Sequence, residues 1–278
     1  MIELRGANVL LTGAAGGLGG YIASALAGQG ANLVLSDLPQ ADLSGRAAEL
    51  AAKGVKVEVV PSDLAEPEGR VKLIADAEKA LGPIDVLVNN AGLEFGGAFT
   101  ETTSEQISLI SRVNLEAVMD LTLRALPGML ERRRGHIVNL ASMAGKLPSP
   151  YLATYAATKH GVVGFTHSLR LEYGSEPVGI SAICPIFITK VGMYGRLEHL
   201  VGEPPPEMQT MPPEAVGEAV LEAIRENKAE VLVTKGPTKP LIGLYALSPG
   251  GVVSLFRRRR RVFEFAREFT SARKQVDG

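Results

Sequence analysis

The chain has 278 residues, of which 46% are hydrophobic, so it is long enough for one large globular domain or two small ones. Its formal net charge of −1 argues against a protein that binds nucleic acid. The single cysteine, Cys184, excludes an internal disulfide and a cysteine-based metal cage, and the four histidines lack metal-site spacing, so no metal is expected.

Seven short apolar runs, separated by helical stretches, predict strands along the chain. The first residues lead directly into the first run without a signal peptide, which predicts a cytoplasmic location. Buried, non-alternating strands that alternate with helices indicate an α/β fold with a parallel, doubly wound sheet covered on both faces. No linker divides the chain, so we expect one domain over residues 1–236. The predicted strands are Asn8–Thr12, Asn32–Ser36, Lys56–Val60, Asp85–Asn89, His136–Leu140, Gly179–Cys184 and Glu230–Thr234.

A glycine-rich turn joins the first predicted strand to a helix predicted from Gly20 to about Gln29. Bare glycines let the backbone approach a pyrophosphate closely, and the helix N-terminus favours its negative charge. The strand–turn–helix context therefore favours a dinucleotide site over a turn that binds nothing. The pattern is longer than G-x-G-x-x-G and reads Thr12-Gly13-x-x-x-Gly17-x-Gly19.

Two acidic residues follow the second and third predicted strands. Asp37 can accept hydrogen bonds from the adenosine ribose hydroxyls and would repel a 2′-phosphate. Because Leu38 follows it and the glycine turn contains no Lys or Arg, NAD(H) is favoured over NADP(H). The alternative is a turn or helix-cap Asp. Asp63 can reach the adenine amino group, with Leu64 donating its amide, or can equally cap the next helix.

The fourth and fifth predicted strands end in polar residues. Asn89-Asn90-Ala91-Gly92 closes the fourth strand, where ordinary turn residues are also expected. Ser142 follows the fifth strand at the carboxyl edge of the sheet, where open α/β sheets bind ligands. Its hydroxyl can hydrogen-bond a substrate oxygen.

Tyr155 and Lys159 are four residues apart, which places them on one face of a helix. Ser149 as a cap and Pro150 in the first turn predict where that helix begins. At about 4 Å and an effective dielectric of roughly 20, the Lys charge favours phenolate by ~4 kcal/mol. This lowers the Tyr pKa by up to about three units before desolvation, which predicts a general base near neutral pH. Alone, such a pair is more often two surface residues.

These motifs, taken together and in order, resemble the short-chain dehydrogenase/reductase family. The resemblance covers roughly residues 5–190 and continues as a compatible fold to about residue 235. It rests on Thr12-Gly13-x-x-x-Gly17-x-Gly19, Asn89-Asn90-Ala91-Gly92, Ser142 and Tyr155-x-x-x-Lys159.

The resemblance implies a single Rossmann domain with a seven-stranded parallel sheet. Tyr155 would be the acid/base, Ser142 would orient the substrate oxygen, and Lys159 would bind ribose and lower the Tyr155 pKa. Asn114 would hold a proton-relay water. The implied cofactor-binding residues are Gly13, Ala15, Gly16, Gly17, Leu18, Gly19, Asp37, Asp63, Leu64, Asn90, Ala91, Gly92, Tyr155, Lys159, Pro185, Ile188 and Thr189.

One position departs from the family pattern. Pro185 and Thr189 match it, but Ile186 stands where the family usually has glycine. Because a β-branched residue does not easily adopt positive φ, either the loop runs differently or the glycine serves only to leave room. Thr189 would still reach the nicotinamide carboxamide.

Residues 190–212 are rich in glycine and proline, including Pro204-Pro205-Pro206, which is typical of a mobile lid. With Glu94 and Phe95 after the fourth strand, the lid would form a pocket for a hydrophobic alcohol or ketone. The apolar residues expected to line it are Val191, Met193, Tyr194, Leu197, Leu200 and Met208.

Residues 237–278 form an extension beyond the family core. Its apolar stretch is too short for the ~20 residues that span a bilayer, and it is followed by Arg257–Arg261 and an amphipathic helix. A basic amphipathic helix can lie on an anionic membrane. The alternatives are a helix that packs on a partner subunit or covers the pocket.

The sequence therefore predicts an NAD(H)-dependent oxidoreductase that interconverts a secondary alcohol and a ketone, acting as a homodimer or homotetramer. Two alternatives remain open: a non-catalytic NAD-binding sensor or scaffold of the same fold, and an NAD enzyme of another type such as an epimerase or dehydratase.

Overall fold

The computed structural model describes residues 2–205, 208–236 and 238–277, with only the backbone described for 273–277. Pro206, at the end of the predicted lid's proline run, lies outside the described residues. Seven strands form one sheet in the order β3-β2-β1-β4-β5-β6-β9, and every neighbouring pair is parallel. This confirms the predicted doubly wound sheet. Its strands are β1 Asn8–Thr12, β2 Asn32–Ser36, β3 Val57–Val59, β4 Val86–Asn89, β5 Gly135–Leu140, β6 Val178–Pro185 and β9 Glu230–Val233.

Helices cover both faces of the sheet because successive strand residues point to opposite sides. Val9 and Leu11 of β1 pack into one buried cluster, and Leu10 packs into another. The first cluster is closed by α1 and α9, and the second by α3 and α5. The longer helices are α1 Gly17–Gly28, α2 Ser44–Ala51, α3 Pro67–Leu81, α4 Ser104–Ser111, α5 Ala117–Glu131, α6 Ala153–Glu172 and α9 Glu214–Glu226.

Two predicted helix starts were wrong. Helix α1 begins at Gly17, so the glycine turn is shorter than expected and its last glycines belong to the first helical turn. Helix α6 begins at Ala153 and is not capped by Ser149, because Tyr151 adopts a φ of 62° and interrupts the helical path after Pro150. Tyr155 therefore lies in the first turn of α6.

The predicted lid contains short regular elements. Strand β7 (Phe187–Ile188) pairs in parallel with β8 (Thr210–Met211), and between them lie the helical turns α7 (Gly192–Gly195) and α8 (Glu198–Val201). The sequence did not predict this pair, because two-residue strands carry no periodic signal.

The C-terminal segment forms three helices: α10 (Thr238–Leu247), α11 (Pro249–Arg257) and α12 (Arg260–Asp277). Ser248 separates α10 from α11, and Pro249 with the two following glycines forms the first turn of α11, where proline needs no hydrogen-bonded N–H. Within the described residues, no helix combines the length and apolar character needed to cross a membrane.

Candidate active site

One cavity of about 1430 Å³ lies at the carboxyl ends of the central strands. Its walls come from the glycine turn, from the segments after β2 to β6, from the lid and from the C-terminal helices. Most residues expected at the site border it, and Thr189 and Asn114 do not. Those that do are Gly13, Ala15, Gly16, Gly17, Leu18, Gly19, Asp37, Asp63, Leu64, Asn90, Ala91, Gly92, Ser142, Tyr155, Lys159, Pro185 and Ile188.

The glycine turn presents bare backbone and a helix N-terminus to this cavity. Gly13 has a φ of 65°, and a Cβ added there would lie 2.7 Å from the Cα of Ala91. A Cβ at Gly17 would lie 2.5 Å from the Cβ of Val191. The first turn of α1 contains no acidic residue, so its N–H groups and helix dipole favour an anion. The turn therefore fits a pyrophosphate.

Thr12 and Asn90 fix the glycine turn to the end of β4. The Thr12 hydroxyl accepts hydrogen bonds from the backbone N–H groups of Asn90 (3.0 Å) and Ala91 (3.1 Å). The Asn90 amide donates to the carbonyl oxygens of Thr12 (2.9 Å) and Gly13 (3.0 Å). Asn90 is thus a positioning residue for the turn, which a generic turn residue would not be.

Asp37 holds the end of β2 against the same turn. Its carboxylate accepts from the backbone N–H of Ala15 at 2.8 Å and from that of Leu38 at 2.8 Å. The helix-cap alternative is wrong, because α2 begins only at Ser44. The sequence missed Arg46, whose guanidinium donates to the carbonyl oxygens of Ala14 and Gly16. A cation therefore does lie beside the glycine turn, supplied from 30 residues away.

Asp63 and Leu64 lie together on the cavity wall after β3. The Asp63 carboxylate accepts from the N–H of Ala65 at 2.8 Å, which closes a local turn. It does not cap α3, whose N-cap is Glu66, so that alternative is also wrong. Buried Arg70 donates to the Leu64 carbonyl at 2.7 Å and holds this turn in place.

Ser142 follows β5 and is held within reach of α6. Its hydroxyl accepts from the N–H of Ala144 at 3.1 Å and donates to the carbonyl of Pro185 at 3.5 Å. A Cβ added at Gly145 would lie 2.5 Å from the carbonyl oxygen of Lys159. The absence of a side chain at Gly145 therefore lets the serine segment pack directly on the helix that carries Tyr155.

Tyr155 and Lys159 are both buried at the cavity wall, with 8% and 4% of their surfaces exposed. The Lys159 ammonium lies 5.6 Å from the centre of the Tyr155 ring and donates to the Leu140 carbonyl at 2.7 Å. Burial lowers the pKa of Lys159 to about 8, since the low-dielectric surroundings disfavour its charge. The ammonium is thus mostly charged at neutral pH.

Asn114 lies in a π-helical segment, Arg112–Glu116, between α4 and α5. Its side-chain amide is fully buried and pairs with both backbone groups of Leu93: it accepts from the N–H and donates to the carbonyl, each at 2.7 Å. It also donates to the Thr158 hydroxyl at 3.3 Å. These contacts join the segment after β4 to α6, and single-turn π segments occur often at functional sites.

The segment after β6 shows how the backbone accommodates Ile186 where the family usually has glycine. Positive φ occurs at other residues but not at Ile186, so the backbone here needs no glycine. Its side chain lines the cavity and takes up room there. The Thr189 hydroxyl donates to the Met211 carbonyl at 3.5 Å, and Thr189 lies off the cavity wall.

The lid and helix α12 pack together over the cavity. Phe187 makes edge-on contacts with Tyr194, Phe265 and Phe269, at centroid distances of 5.6, 6.3 and 6.3 Å. A Cβ added at Gly96 would lie 2.7 Å from the Thr270 side chain, so α12 also reaches the segment after β4. Helix α12 therefore covers the pocket, which is one of the alternatives predicted for the C-terminal extension.

The predicted lining of the pocket was correct in part. Val191, Met193, Tyr194 and Met208 border the cavity, as does Glu94, which is buried. The others do not border the cavity: Leu197 is buried in the cluster between the lid and α12, Leu200 is 49% exposed, and Phe95 packs in the cluster that contains Tyr155. Among the described residues there is no cluster of His, Cys, Asp and Glu that could hold a metal.

A parallel sheet with a glycine turn and a cavity at its carboxyl edge suits a nucleotide-dependent oxidoreductase, and comparison with known proteins supports this class. Residues 7–199 match the family model described as short chain dehydrogenase. The chain belongs to the short-chain dehydrogenase/reductase family.

Three similar proteins extend well beyond the family model. Ketoacyl reductase HetN of Nostoc sp. is 37% identical over 262 residues, covering 92% of this chain and 90% of that protein. This match leaves fewer residues uncovered than segment 238–277 holds, so it extends into the C-terminal helices. A Burkholderia phymatum short-chain dehydrogenase/reductase in complex with NAD has a TM-score of 0.78 and 27% identity, covering 89% of this chain and 95% of its own. A variant of actinorhodin polyketide ketoreductase with NADPH has a TM-score of 0.76 and 30% identity, covering 84% and 98%.

Proposed function

We propose that the protein is an NAD(H)-dependent oxidoreductase that interconverts a secondary alcohol and a ketone on a hydrophobic substrate. The observation that carries this proposal is the convergence of Ser142, Tyr155 and Lys159 on one cavity that also borders the glycine turn. A proton donor or acceptor, a hydrogen-bonding hydroxyl and a buried cation are the groups that carbonyl reduction needs around a reacting oxygen.

In the oxidative direction, Tyr155 as phenolate takes the proton of the substrate hydroxyl. The carbon that bears this hydroxyl loses its hydrogen as hydride, and a C=O bond forms. Ser142 donates a hydrogen bond to that oxygen in both directions. The Lys159 ammonium favours the phenolate form of Tyr155 and is aimed by its bond to Leu140. A bound nicotinamide supplies or accepts the hydride.

Asn114 acts in this proposal through the groups it holds. It fixes Leu93 and Thr158, and the Thr158 hydroxyl in turn donates to the Tyr155 carbonyl at 2.8 Å. The predicted relay water would have to be held by another group of Asn114 or its neighbours, since the side-chain amide already contacts these partners.

We propose NAD as the preferred cofactor. Asp37 borders the cavity at the end of β2 and keeps its carboxylate beside the glycine turn, where it would repel a 2′-phosphate. Arg46 lies beside the glycine turn, but its guanidinium donates to the backbone carbonyls of Ala14 and Gly16. The two similar structures hold NAD in one case and NADPH in the other, so they favour neither.

The cavity wall supports a hydrophobic substrate that carries one polar group. The lid and α12 contribute mainly apolar and aromatic side chains, such as Met193, Phe265 and Phe269, while Glu94 adds one buried carboxyl. A ketoacyl chain satisfies this description, and the Nostoc relative is named a ketoacyl reductase.

The direct test compares Tyr155→Phe with Tyr151→Phe in the presence of NADH and a panel of apolar ketones. Both variants remove one phenolic hydroxyl, but Tyr151 does not border the cavity. Tyr155→Phe should lower kcat by about 10² to 10⁴-fold with NAD binding retained, and Tyr151→Phe should leave kcat unchanged. If wild-type protein binds NAD but turns over no ketone or alcohol, the sensor alternative is favoured.

A further inference from the structure

Helices α10 and α11 carry apolar side chains that the rest of the protein does not bury. No residue of α10 is buried, and α11 buries only Val252. Leu244 and Leu247 are 49% and 87% exposed, and Leu255 is 46% exposed. By contrast, the apolar face of α12 is buried against the lid, so the exposed large apolar side chains of the described C-terminal helices lie on the α10–α11 hairpin.

A dense positive charge lies at the end of this hairpin. Arg257–Arg261 are all exposed, and the Arg260 guanidinium pairs with Glu264 at 2.7 Å. Segment 238–277 contains nine basic and three acidic residues, whereas the whole chain has a net charge of −1. The segment is therefore strongly basic on a protein that is otherwise acidic, which favours an anionic partner surface.

The same hairpin borders the cavity. Val253, Leu255 and Arg257 line it, and each is also exposed to solvent. Residues that both line a cavity and face solvent mark its mouth. The mouth thus carries both exposed apolar side chains and arginine from α11.

We infer that the α10–α11 hairpin and Arg257–Arg261 dock on an anionic membrane surface, and that the hydrophobic substrate enters the cavity from that membrane. Apolar side chains next to clustered arginines match the boundary between acyl chains and anionic headgroups. The helices have 10 and 9 residues, about half the length needed to cross the ~30 Å hydrocarbon core, so the hairpin lies in the interface. The entry route rests on the proposed function, but the membrane contact does not.

The test measures co-sedimentation of the full chain with vesicles of phosphatidylcholine alone or with roughly one third phosphatidylglycerol. Wild-type protein should sediment with the anionic vesicles at roughly 0.05 M salt and be released at roughly 0.5 M. Leu244→Asp with Leu247→Asp, or Arg258→Glu with Arg261→Glu, should weaken binding at least about tenfold. None of these four residues lines the cavity.

Leu171→Asp provides the matched control, because Leu171 on α6 is 86% exposed, nearly the same as Leu247. It should bind vesicles like wild type. Equal sedimentation with neutral and anionic vesicles, or unchanged binding by the hairpin variants, overturns the membrane contact. A dimer that Leu247→Asp dissociates without vesicles would assign the face to a second copy and would also overturn it.

The entry route is tested by turnover of two ketones, one soluble in water and one dissolved in the vesicles. The hairpin variants should keep wild-type turnover of the soluble ketone and lose at least about tenfold on the vesicle-dissolved one. Equal turnover of both by the variants overturns the entry route. Because vesicle binding is measured without substrate, failure of the proposed chemistry and failure of the membrane contact are distinguishable.

Discussion

Phe269→Ala tests whether α12 holds the lid over the cavity. The Phe269 side chain is 3% exposed and contacts Phe187, Tyr194 and Phe265 at centroid distances of 6.3 to 6.5 Å. Replacing a buried Phe by Ala costs about 3–5 kcal/mol. Here that cost falls on the contact between α12 and the lid, because the ring lies outside the two main cores of the sheet.

The loss should appear as local opening of α12, not as global unfolding. At about 1.4 kcal/mol per factor of ten, hydrogen exchange of the amides in residues 262–270 should accelerate by roughly 10² to 4 × 10³-fold. Amides of β5 should keep their protection. The KM for a long apolar ketone should rise, while that for a small ketone should change little.

Phe99→Ala is the control, since Phe99 is 61% exposed and lies on a different segment. It should leave exchange in α12 unchanged. Unaltered protection of residues 262–270 in Phe269→Ala would refute the proposed role of α12 as the cover of the cavity. Equal loss of protection in β5 would show that α12 supports the whole fold and not the lid alone.

Three further predictions concern cofactor binding and charge. Asp37→Ala with Leu38→Arg should shift preference from NAD toward NADP in competition binding, and equal affinity of wild-type protein for both would refute the role of Asp37. NAD affinity should fall about tenfold between pH 7 and pH 9, because the Lys159 ammonium, whose pKa is lowered to about 8, loses its proton over that range. The Lys159→Met variant should bind NAD more weakly at every pH in this range and should lack the pH dependence. Burial lowers the pKa of His136 to about 3, so as the pH falls this imidazole is protonated in the unfolded chain before it is protonated in the folded protein. The free energy of unfolding should therefore fall with decreasing pH, by about 1.4 kcal/mol per pH unit from this group between pH 6 and pH 4. Urea unfolding of His136→Asn should show a shallower acid slope, and an identical slope would count against this reasoning.

The parts of the site that the sequence predicted depend on short-range pattern. The glycine turn, Asp37 and the Tyr155–Lys159 pair each follow a strand or share a helix face, so chain order alone places them. The family resemblance then assembled these local features into one fold, and the seven-stranded sheet confirmed it.

The parts that the sequence missed depend on contacts between distant segments. Arg46 reaches the glycine turn from α2, and the Asn114 amide pairs with Leu93 across 21 residues. The predicted start of α6 was wrong because the positive φ of Tyr151 overrides the local capping preference of Ser149. Such backbone choices are made by tertiary packing, which propensity does not report.

Because α12 covers the cavity, the residues that select the substrate lie in a different part of the chain from the residues proposed to carry out the reaction. Every residue assigned to the proposed proton and hydride chemistry comes from the region up to Lys159, whereas much of the apolar wall comes from residues after 185. Substitutions in the C-terminal helices can therefore change which molecules fit without disturbing the reacting groups. Exchange of segment 238–277 between relatives would be a direct route to new substrate selectivity on an unchanged catalytic frame.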